Sequence, residues 1–377
     1  MRVFRIVRCL ILLGLFLAVL PGSAFAGFVV KQTLQVGKNP DGVAIGDFNR
    51  DGIPDLAVTI QGSVTVNIFS GVGDGTFQPG AAYPLGALPS SVTTADLNGD
   101  GKLDLVTANG SNISVQGNIS VLLGNGDGTF QSAVNYDAGS LPSSVAIADY
   151  NGDGKLDLAA SDESEISGNA VSVLLGVGDG TFNPATSYPT GTSPNSVVAG
   201  DFNHDGKIDL ATANYLDNSV SVLQGNGNGT FKNSIQYHVT ERPSQIVMAD
   251  FNGDGIQDLA VAAFNAFGLI GHVALLRGIG DGTFFNAAIY RFQKDVYSIA
   301  VGPLNGDSLP DLVVGHSGGV TPLLNLGAGK FAKGGRYGSQ GIPLAVAVAD
   351  LTGSGFTDIV EADYVHNSIT IFLNSGS

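Results

Sequence analysis

The nonapeptide Asp96-Leu97-Asn98-Gly99-Asp100-Gly101-Lys102-Leu103-Asp104 is one of seven related copies along this 377-residue chain. The other copies are DFNRDGIPD from Asp47, DYNGDGKLD from Asp149, DFNHDGKID from Asp201, DFNGDGIQD from Asp250, PLNGDSLPD from Pro303 and DLTGSGFTD from Asp350. Their starts are 49, 53, 52, 49, 53 and 47 residues apart. A period near 50 residues predicts a propeller or a solenoid built from one repeated unit.

Each unit has the same internal order, which the second copy illustrates. Strands are predicted at Ser91–Ala95, Leu105–Ala108, Ile119–Leu123 and Ala133–Tyr136, with the turn GNGDGTF (124–130) before the last of them. Four antiparallel strands per unit are typical of a propeller blade. A parallel β-helix would have shorter strand units and no such hairpin turns. We therefore predict an all-β, seven-bladed β-propeller spanning residues 27–377.

The two ends of this region are expected to close the ring. The last unit stops after its third strand, at Phe372–Ser377, and lacks a fourth. The segment Gly27–Gly37 has the glycine, the phenylalanine and the strand pattern of a fourth strand. An N-terminal strand that completes the last blade would cover both free sheet edges.

The nonapeptide D-x-N-x-D-G-x-x-D has oxygen-bearing side chains at positions 1, 3, 5 and 9, and the carbonyl of position 7 can face the same centre. Hard cations such as calcium bind this density of oxygen ligands. About five structural calcium sites are therefore predicted in the five intact copies. Their ligands are Asp47, Asn49, Asp51, Ile53 and Asp55; Asp96, Asn98, Asp100, Lys102 and Asp104; Asp149, Asn151, Asp153, Lys155 and Asp157; Asp201, Asn203, Asp205, Lys207 and Asp209; and Asp250, Asn252, Asp254, Ile256 and Asp258.

An alternative is that Asp, Asn and Gly are present only because they form turns. Three carboxylates within nine residues repel one another unless a cation lies between them, which favours the metal interpretation. The last two copies depart from the pattern: Pro303 and Ser308 replace a ligand and the glycine in the sixth, and Thr352 and Ser354 replace two ligands in the seventh. Weak or absent metal binding is expected in both.

Residues 1–26 have the pattern of a secretory signal peptide, with basic residues at Arg2, Arg5 and Arg8, an apolar stretch at Leu10–Leu20, and small residues around Ala26. An uncleaved anchor is the alternative, although the apolar stretch is short for a membrane span. The chain's one cysteine, Cys9, lies in this segment, so the mature protein has no disulfide. We expect a protein that is secreted, periplasmic or on the cell surface, monomeric and without a membrane span.

Without that segment the chain has 14 basic and 33 acidic residues, a formal charge of −19. Nucleic acid is therefore not expected as a partner, because phosphate binding needs basic patches. An extracellular protein or polysaccharide is expected instead.

Strand order within a blade predicts which loops share a face of the disc. The nonapeptides and the GNGDGTF turns should lie on one face, and the connections between second and third strands on the other. The latter vary most in length, as in Asn109–Asn118 and Phe264–Gly271. Binding residues concentrate in such loops. The predicted partner-binding residues are Tyr215, Phe264, Phe267 and Tyr364. Alternatively, these aromatic side chains pack against neighbouring blades.

The nonapeptides together with turns such as GVGDGTF (71–77), GNGDGTF (124–130) and GIGDGTF (278–284) resemble the FG-GAP or VCBS repeat family, best known from the integrin α-subunit propeller. The resemblance covers residues 27–377. It implies calcium binding in a loop between the first two strands of each intact blade. It implies no particular ligand, because a fold does not fix a function.

We expect a calcium-binding adhesion or binding module rather than an enzyme. The five histidines occupy unrelated places in the repeat and are expected to be surface residues, and no nucleophile-elbow sequence is present. The alternative is a carbohydrate-active propeller, either a lectin or a calcium-dependent polysaccharide lyase. A lyase would need a cluster of Lys, Arg, Tyr or His. The absence of tryptophan disfavours a lectin, although tyrosine can also stack on sugars.

Overall fold

The protein is described by a computed structural model in which residues 27–110, 116–163, 169–239, 241–264, 270–338 and 341–376 are placed. These residues form 28 β-strands in seven sheets of four antiparallel strands, and no helix occurs among them. No helical segment that could cross a membrane is therefore found in this part of the chain. The predicted signal peptide and Phe267 lie outside the described residues.

The chain begins with β1 (Phe28–Gln35), which belongs to the seventh sheet. Blades 1 to 3 consist of β2 (Pro40–Gly46), β3 (Asp55–Ile60), β4 (Thr65–Gly71) and β5 (Phe77–Pro84); β6 (Leu88–Ala95), β7 (Asp104–Gly110), β8 (Asn118–Leu122) and β9 (Val134–Tyr136); and β10 (Pro142–Ala148), β11 (Asp157–Asp162), β12 (Ala170–Leu174) and β13 (Thr186–Pro189).

Blades 4 to 7 repeat this order. They consist of β14 (Pro194–Gly200), β15 (Asp209–Asn214), β16 (Ser219–Leu223) and β17 (Ile235–His238); β18 (Pro243–Ala249), β19 (Asp258–Phe264), β20 (Gly271–Gly278) and β21 (Phe284–Phe292); β22 (Val296–Gly302), β23 (Asp311–His316), β24 (Gly319–Asn325) and β25 (Phe331–Lys333); and β26 (Pro343–Ala349), β27 (Asp358–Asp363), β28 (Ser368–Asn374) and β1.

The predicted ring closure is confirmed by the seventh blade. Strand β1 pairs antiparallel with β28, from Phe28 opposite Asn374 to Gln35 opposite Ser368. The backbone N–H of Ser375 also donates to the carbonyl of Gly27 at 2.7 Å. First strands of neighbouring blades lie side by side around the centre, and β26 contacts β2 to complete the circle. Both ends of the described chain are thus held in one sheet.

The hydrophobic core lies between the blades. The second strand of each blade is buried along nearly its whole length, whereas fourth strands such as β5 are largely exposed. In the described residues, seven apolar clusters each span two adjacent blades. One of them joins Phe48 and Ile68 of blade 1 to Leu105 and Phe130 of blade 2. Because neighbouring blades cover both faces of a second strand, its residues are buried in succession and do not alternate between buried and exposed.

The structure confirms the predicted division of loops between the two faces of the disc. The turn of one blade bonds to the nonapeptide of the preceding blade: Gly128 N–H donates to the Phe48 carbonyl at 3.0 Å. Equivalent bonds occur in three further pairs of blades, from Gly229 to Tyr150, Gly282 to Phe202 and Gly329 to Phe251. We call this side the loop face. The opposite side, with the second-to-third and blade-to-blade connections, is the variable face.

Candidate metal loops and partner-binding face

The five intact nonapeptides have nearly the same conformation. The carboxylate at position 1 accepts the N–H of position 6, as from Gly52 to Asp47 at 2.8 Å and from Gly101 to Asp96 at 2.8 Å. It also accepts the N–H of position 5 at 3.1 to 3.2 Å. The carboxylate of position 5 accepts the N–H of position 7. These bonds fold the oxygens of positions 1 and 5 around one loop.

Positions 4 and 6 have left-handed backbone conformations in all seven copies. Glycine meets this need at most of these places, but Arg50 and His204 adopt φ values of 63° and 57° at position 4, and Ser308 adopts 65° at position 6. A side chain in this region costs about 1 kcal/mol or more. The loop shape is therefore retained in the sixth copy even though the glycine is not.

Position 9 has a structural role in all seven blades. The carboxylate of Asp104 is fully buried, and it accepts the N–H of Leu97 at 2.9 Å and of Gly124 at 2.7 Å. The other six copies do the same, with distances between 2.6 and 3.2 Å. Each position-9 aspartate thus ties the start of its loop to the end of the third strand. The sixth and seventh copies retain this bond without the full set of metal ligands.

Burial raises the pKa of every position-9 carboxyl, to about 6 for Asp209 and Asp311. The two backbone N–H bonds oppose the effect of burial. In the intact loops, nearby carboxylates also raise the pKa, as Asp51 and Asp47 do for Asp55. The like charges of one loop are therefore close enough to interact.

In four loops a cation lies beside position 5. Lys102 pairs with Asp100 at 2.9 Å, and Arg277 pairs with Asp254 at 2.8 Å. Lys155 and Lys207 lie 3.7 and 3.3 Å from Asp153 and Asp205. The hydrogen bond from Lys102 lowers the pKa of Asp100 below its usual range. These exposed pairs offset only one of the three carboxylates in each loop.

The oxygen donors at positions 1, 3 and 5 suit calcium, and each still has a lone pair beyond its backbone bond. In the loop at 250–258 the side-chain amide of Asn252 instead donates to Asp258 at 3.0 Å. Among the described residues, no three His, Cys, Asp or Glu side chains form a ready metal cluster. The donor chemistry thus fits calcium, but the oxygens would have to converge further. Metal binding by these residues stays a prediction.

Position 2 of the nonapeptide is a further structural residue, which the sequence analysis missed. It is large and buried in every copy: Phe48, Leu97, Tyr150, Phe202, Phe251, Leu304 and Leu351. The Phe48 ring packs edge-on against Phe130 of the next blade, with centroids 5.4 Å apart. Tyr83 packs against the same ring at 5.7 Å. The phenylalanine of a GNGDGTF turn therefore packs between two neighbouring blades. The large apolar residue after position 1 was the available signal.

A cavity of about 520 Å³ opens at the centre of the variable face. Its lining includes the carboxylates of Asp41 and Glu163, the rings of Phe264 and Tyr297, and a series of serines from the first strands. Burial raises the pKa of Asp41 to about 7, a hydrogen bond from Gln61 lowers it, and Glu163 raises it. The cavity is thus polar, with two acidic side chains and two aromatic rings.

Of the four predicted aromatic residues, the structure brings two together. The Tyr215 and Phe264 rings are 5.4 Å apart, and Phe264 lies 6.2 Å from Tyr297. The Arg242 guanidinium lies over Tyr215 at 5.5 Å. Both Tyr215 and Phe264 are half-buried, as is Tyr364, which lies apart in blade 7. The inter-blade packing considered as an alternative therefore does occur, and it leaves part of each ring accessible.

The expectation that the histidines are surface residues is wrong for His316. Only 6% of this residue is exposed, because it ends β23, a buried second strand. Its Nε2 bonds to the Thr321 hydroxyl at 2.8 Å, and no hydrogen bond to Nδ1 is found among the described residues.

Three solved structures are similar to this fold. BBS1N, solved in complex with ARL6DN and soaked with lead, is 12% identical, with a TM-score of 0.64, and the match covers 92% of this chain and 97% of that one. An Agrocybe aegerita lectin that recognises non-reducing terminal N-acetylglucosamine is 20% identical, with a TM-score of 0.52 and coverage of 87% and 86%. A functionally unknown protein from Desulfotomaculum acetoxidans DSM 771 is 17% identical, with a TM-score of 0.56 and coverage of 81% and 88%. At these identities the likeness concerns the fold alone.

A search of curated proteins found no match. The FG-GAP-like repeat family, in contrast, matches six segments, at 47–107, 108–160, 164–212, 201–261, 250–314 and 303–361. FG-GAP propellers are generally non-catalytic, in line with the expectation that this protein is not an enzyme. Because the matches lie between residues 47 and 361 and cover most of the chain, this protein belongs to the FG-GAP-like repeat family.

Proposed function

We propose that this protein is an extracellular binding module, in which calcium stabilises the loop face and the variable face binds the partner. The observation that carries the proposal is the different character of the two faces. The loop face repeats one oxygen-rich loop in every intact blade, and four of these loops bond to the next blade. The variable face has a different loop in each blade and a central polar cavity.

Calcium would supply positive charge between carboxylates that already interact unfavourably. In the second blade Asp96, Asn98 and Asp100 would hold the ion with their side chains and Lys102 with its carbonyl. Asp104 would remain bonded to the backbone beneath it. Binding to the folded form alone adds about 2.7 kcal/mol per site at a free concentration 100 times the dissociation constant.

The calcium test is thermal unfolding of the mature chain in excess calcium and in chelator, with bound ions counted in the same sample. We expect close to five ions per chain and a large fall in melting temperature on chelation. Asp100→Asn should remove one ion, whereas Asp307→Asn, at the same position of the incomplete sixth loop, should remove none. A chain without bound ions and with an unchanged melting temperature would refute the calcium role.

The partner test is a screen of extracellular proteins and polysaccharides for both binding and cleavage. Binding of a protein or a polysaccharide without cleavage supports a binding module. Binding of polysaccharides but not of proteins identifies a lectin. Tyr215→Ala and Phe264→Ala should each weaken binding, whereas Phe285→Ala, an exposed ring on the outer strand β21, serves as the control. Cleavage of a polysaccharide, or equal binding by all variants, would contradict the proposal.

We also propose that the chain is exported and cut after Ala26. The basic, apolar and small-residue sequence of 1–26 supports this proposal. Expression with the native N-terminus should yield a secreted protein whose first residue is Gly27. A membrane-bound product that retains Met1 would support the anchor instead.

A further inference from the structure

A second pocket on the variable face has a charge opposite to that of the whole protein. It lies between blades 5 and 6, has a volume of about 390 Å³, and is lined by the cationic side chains of Lys294, Lys333 and Arg336 together with Phe292 and His316. These three cations are among only 14 basic residues beyond position 26. No Asp or Glu lines the pocket. Such a concentration of unlike charge in an acidic protein creates a local positive field.

The basic side chains converge from separate elements. Lys294 is in the connection between β21 and β22, and Arg336 is in the connection between β25 and β26. Both reach over Gly318: a Cβ atom added there would lie 3.2 Å from Arg336 Nη1 and 3.4 Å from Lys294 Nζ. Because Gly318 has no side chain, the space beside these two cationic groups stays open.

The other half of the pocket is built on Phe292. The ammonium of Lys333 lies 4.0 Å from the centre of this ring and donates to the Arg291 carbonyl. The His316 ring lies on Phe292 as well, at 5.5 Å. The hydrogen bond to Thr321 and the buried strand end hold His316 in place, so the floor of the pocket is fixed.

None of these three cations forms an ion pair with an acidic side chain in the described part of the chain. The neighbouring Asp295 faces elsewhere, toward the Tyr297 hydroxyl at 3.5 Å. The Arg291 side chain lies on the other face of β21, beside His272 and near Glu241, so it contributes only its carbonyl to the pocket. Among the described residues, the positive charges of the pocket are therefore not paired with acidic side chains.

We propose that this pocket binds a divalent oxyanion, a phosphate or sulfate group. Guanidinium and ammonium groups that approach from several sides match the several oxygens of such an anion. Arg336 and Lys294 would bind its oxygens over Gly318, and Lys333 would bind it from the side of Phe292. The inference rests on the proposed function only in assigning ligand binding to the variable face, and it is independent of calcium.

The test is equilibrium dialysis of the full mature chain with radiolabelled sulfate at constant ionic strength. We expect one bound sulfate per chain, displaced by inorganic phosphate. The double variant Lys294→Gln and Arg336→Gln should weaken binding at least tenfold. The control, Lys38→Gln with Lys232→Gln, removes the same charge from two other exposed sites and should change affinity less than twofold.

The source of the anion is distinguished by adding dextran sulfate or neutral dextran. If dextran sulfate displaces the labelled sulfate and neutral dextran does not, the pocket binds a sulfate group carried on a polysaccharide. If only inorganic phosphate displaces it, the pocket binds a free ion. Either result supports the pocket. Absence of sulfate binding, or equal loss in both double variants with unchanged melting temperatures, overturns it. Calcium counts and chelator effects are unaffected by this outcome, so failure here is distinct from failure of the calcium loops.

Discussion

At the scale of single residues, the position-9 aspartates have a structural role that does not depend on a metal. Each is buried and accepts two backbone N–H groups from chain segments that are distant from each other in sequence. A buried acceptor bonded in this way is costly to remove, because the donors lose their partners.

Asp311→Asn should therefore destabilise the sixth blade by about 2 kcal/mol, because it replaces a carboxylate acceptor with an amide that can satisfy only one of the two donors. Since the sixth loop lacks a full ligand set, the loss should be the same in calcium and in chelator. Urea unfolding under both conditions measures it, with the exposed Asp307→Asn as control. A loss seen only in calcium would show that Asp311 acts through a metal.

Glu361 of β27 is buried at an interface between blades. Neither of its carboxylate oxygens has a hydrogen-bond partner among the described residues. Other blades have Val58, Thr107 or Val314 at this place. Burial raises the Glu361 pKa from 4.5 to about 8. The folded protein therefore favours the protonated form. The stability that this raised pKa contributes is fully present below pH 4.5, and it is lost as the pH rises to about 8.

Glu361→Gln should consequently be neutral near pH 4.5 and increasingly stabilising up to pH 8, by roughly 1 kcal/mol per pH unit. Urea unfolding between pH 4.5 and 8.5 measures the difference from the wild type. The exposed Glu241→Gln should leave the pH profile unchanged. A constant difference across this range would mean that Glu361 is ionised in the fold.

At the scale of the element, the phenylalanine of each GNGDGTF-type turn connects two neighbouring blades. In the fifth blade Phe284 packs edge-on against Phe202 at 5.4 Å and Tyr237 at 5.9 Å, whereas the adjacent Phe285 is 48% exposed. The same residue type thus occurs twice in succession, once inside an inter-blade contact and once outside.

Phe284→Ala should cost about 3 kcal/mol, because it opens a cavity in the interface between blades 4 and 5. Phe285→Ala should change stability by less than about 0.5 kcal/mol. Chemical unfolding of the two variants gives the comparison directly. Equal effects would show that the turn phenylalanines do not connect the blades.

The periodic features could be predicted, and the features that depend on contacts between repeats could not. The seven blades and their closure follow from a pattern that recurs every 50 residues or so. The strands differ from the prediction mainly at their starts: β6 begins at Leu88, not Ser91. The partner of Asp104, Gly124, lies 20 positions away, and nothing local indicates that pairing. The basic pocket is harder still to predict, because it occurs once and joins residues from Phe292 to Arg336.

At the scale of the whole molecule, stability depends on one strand from the far end of the chain. Strand β1 covers the edge of β28, and removing it would expose unpaired backbone groups along that edge. It would also take Phe28 away from Tyr337, against which it packs at 5.3 Å.

Deletion of residues 27–35 should therefore produce a chain that unfolds at lower temperature and self-associates through the open edge. Size-exclusion chromatography and thermal unfolding report both effects. A synthetic peptide of residues 27–36 should restore the monomer by adding the missing strand. A shortened chain that stays monomeric with an unchanged melting temperature would contradict the closure argument.

The bond between Gly27 and Ser375 places both ends of the described chain at the same point on the rim of the loop face. A label, a surface tether or a fused domain joined at either end would thus emerge on the side away from the central cavity and the basic pocket. A chain immobilised in this way would present its variable face outward.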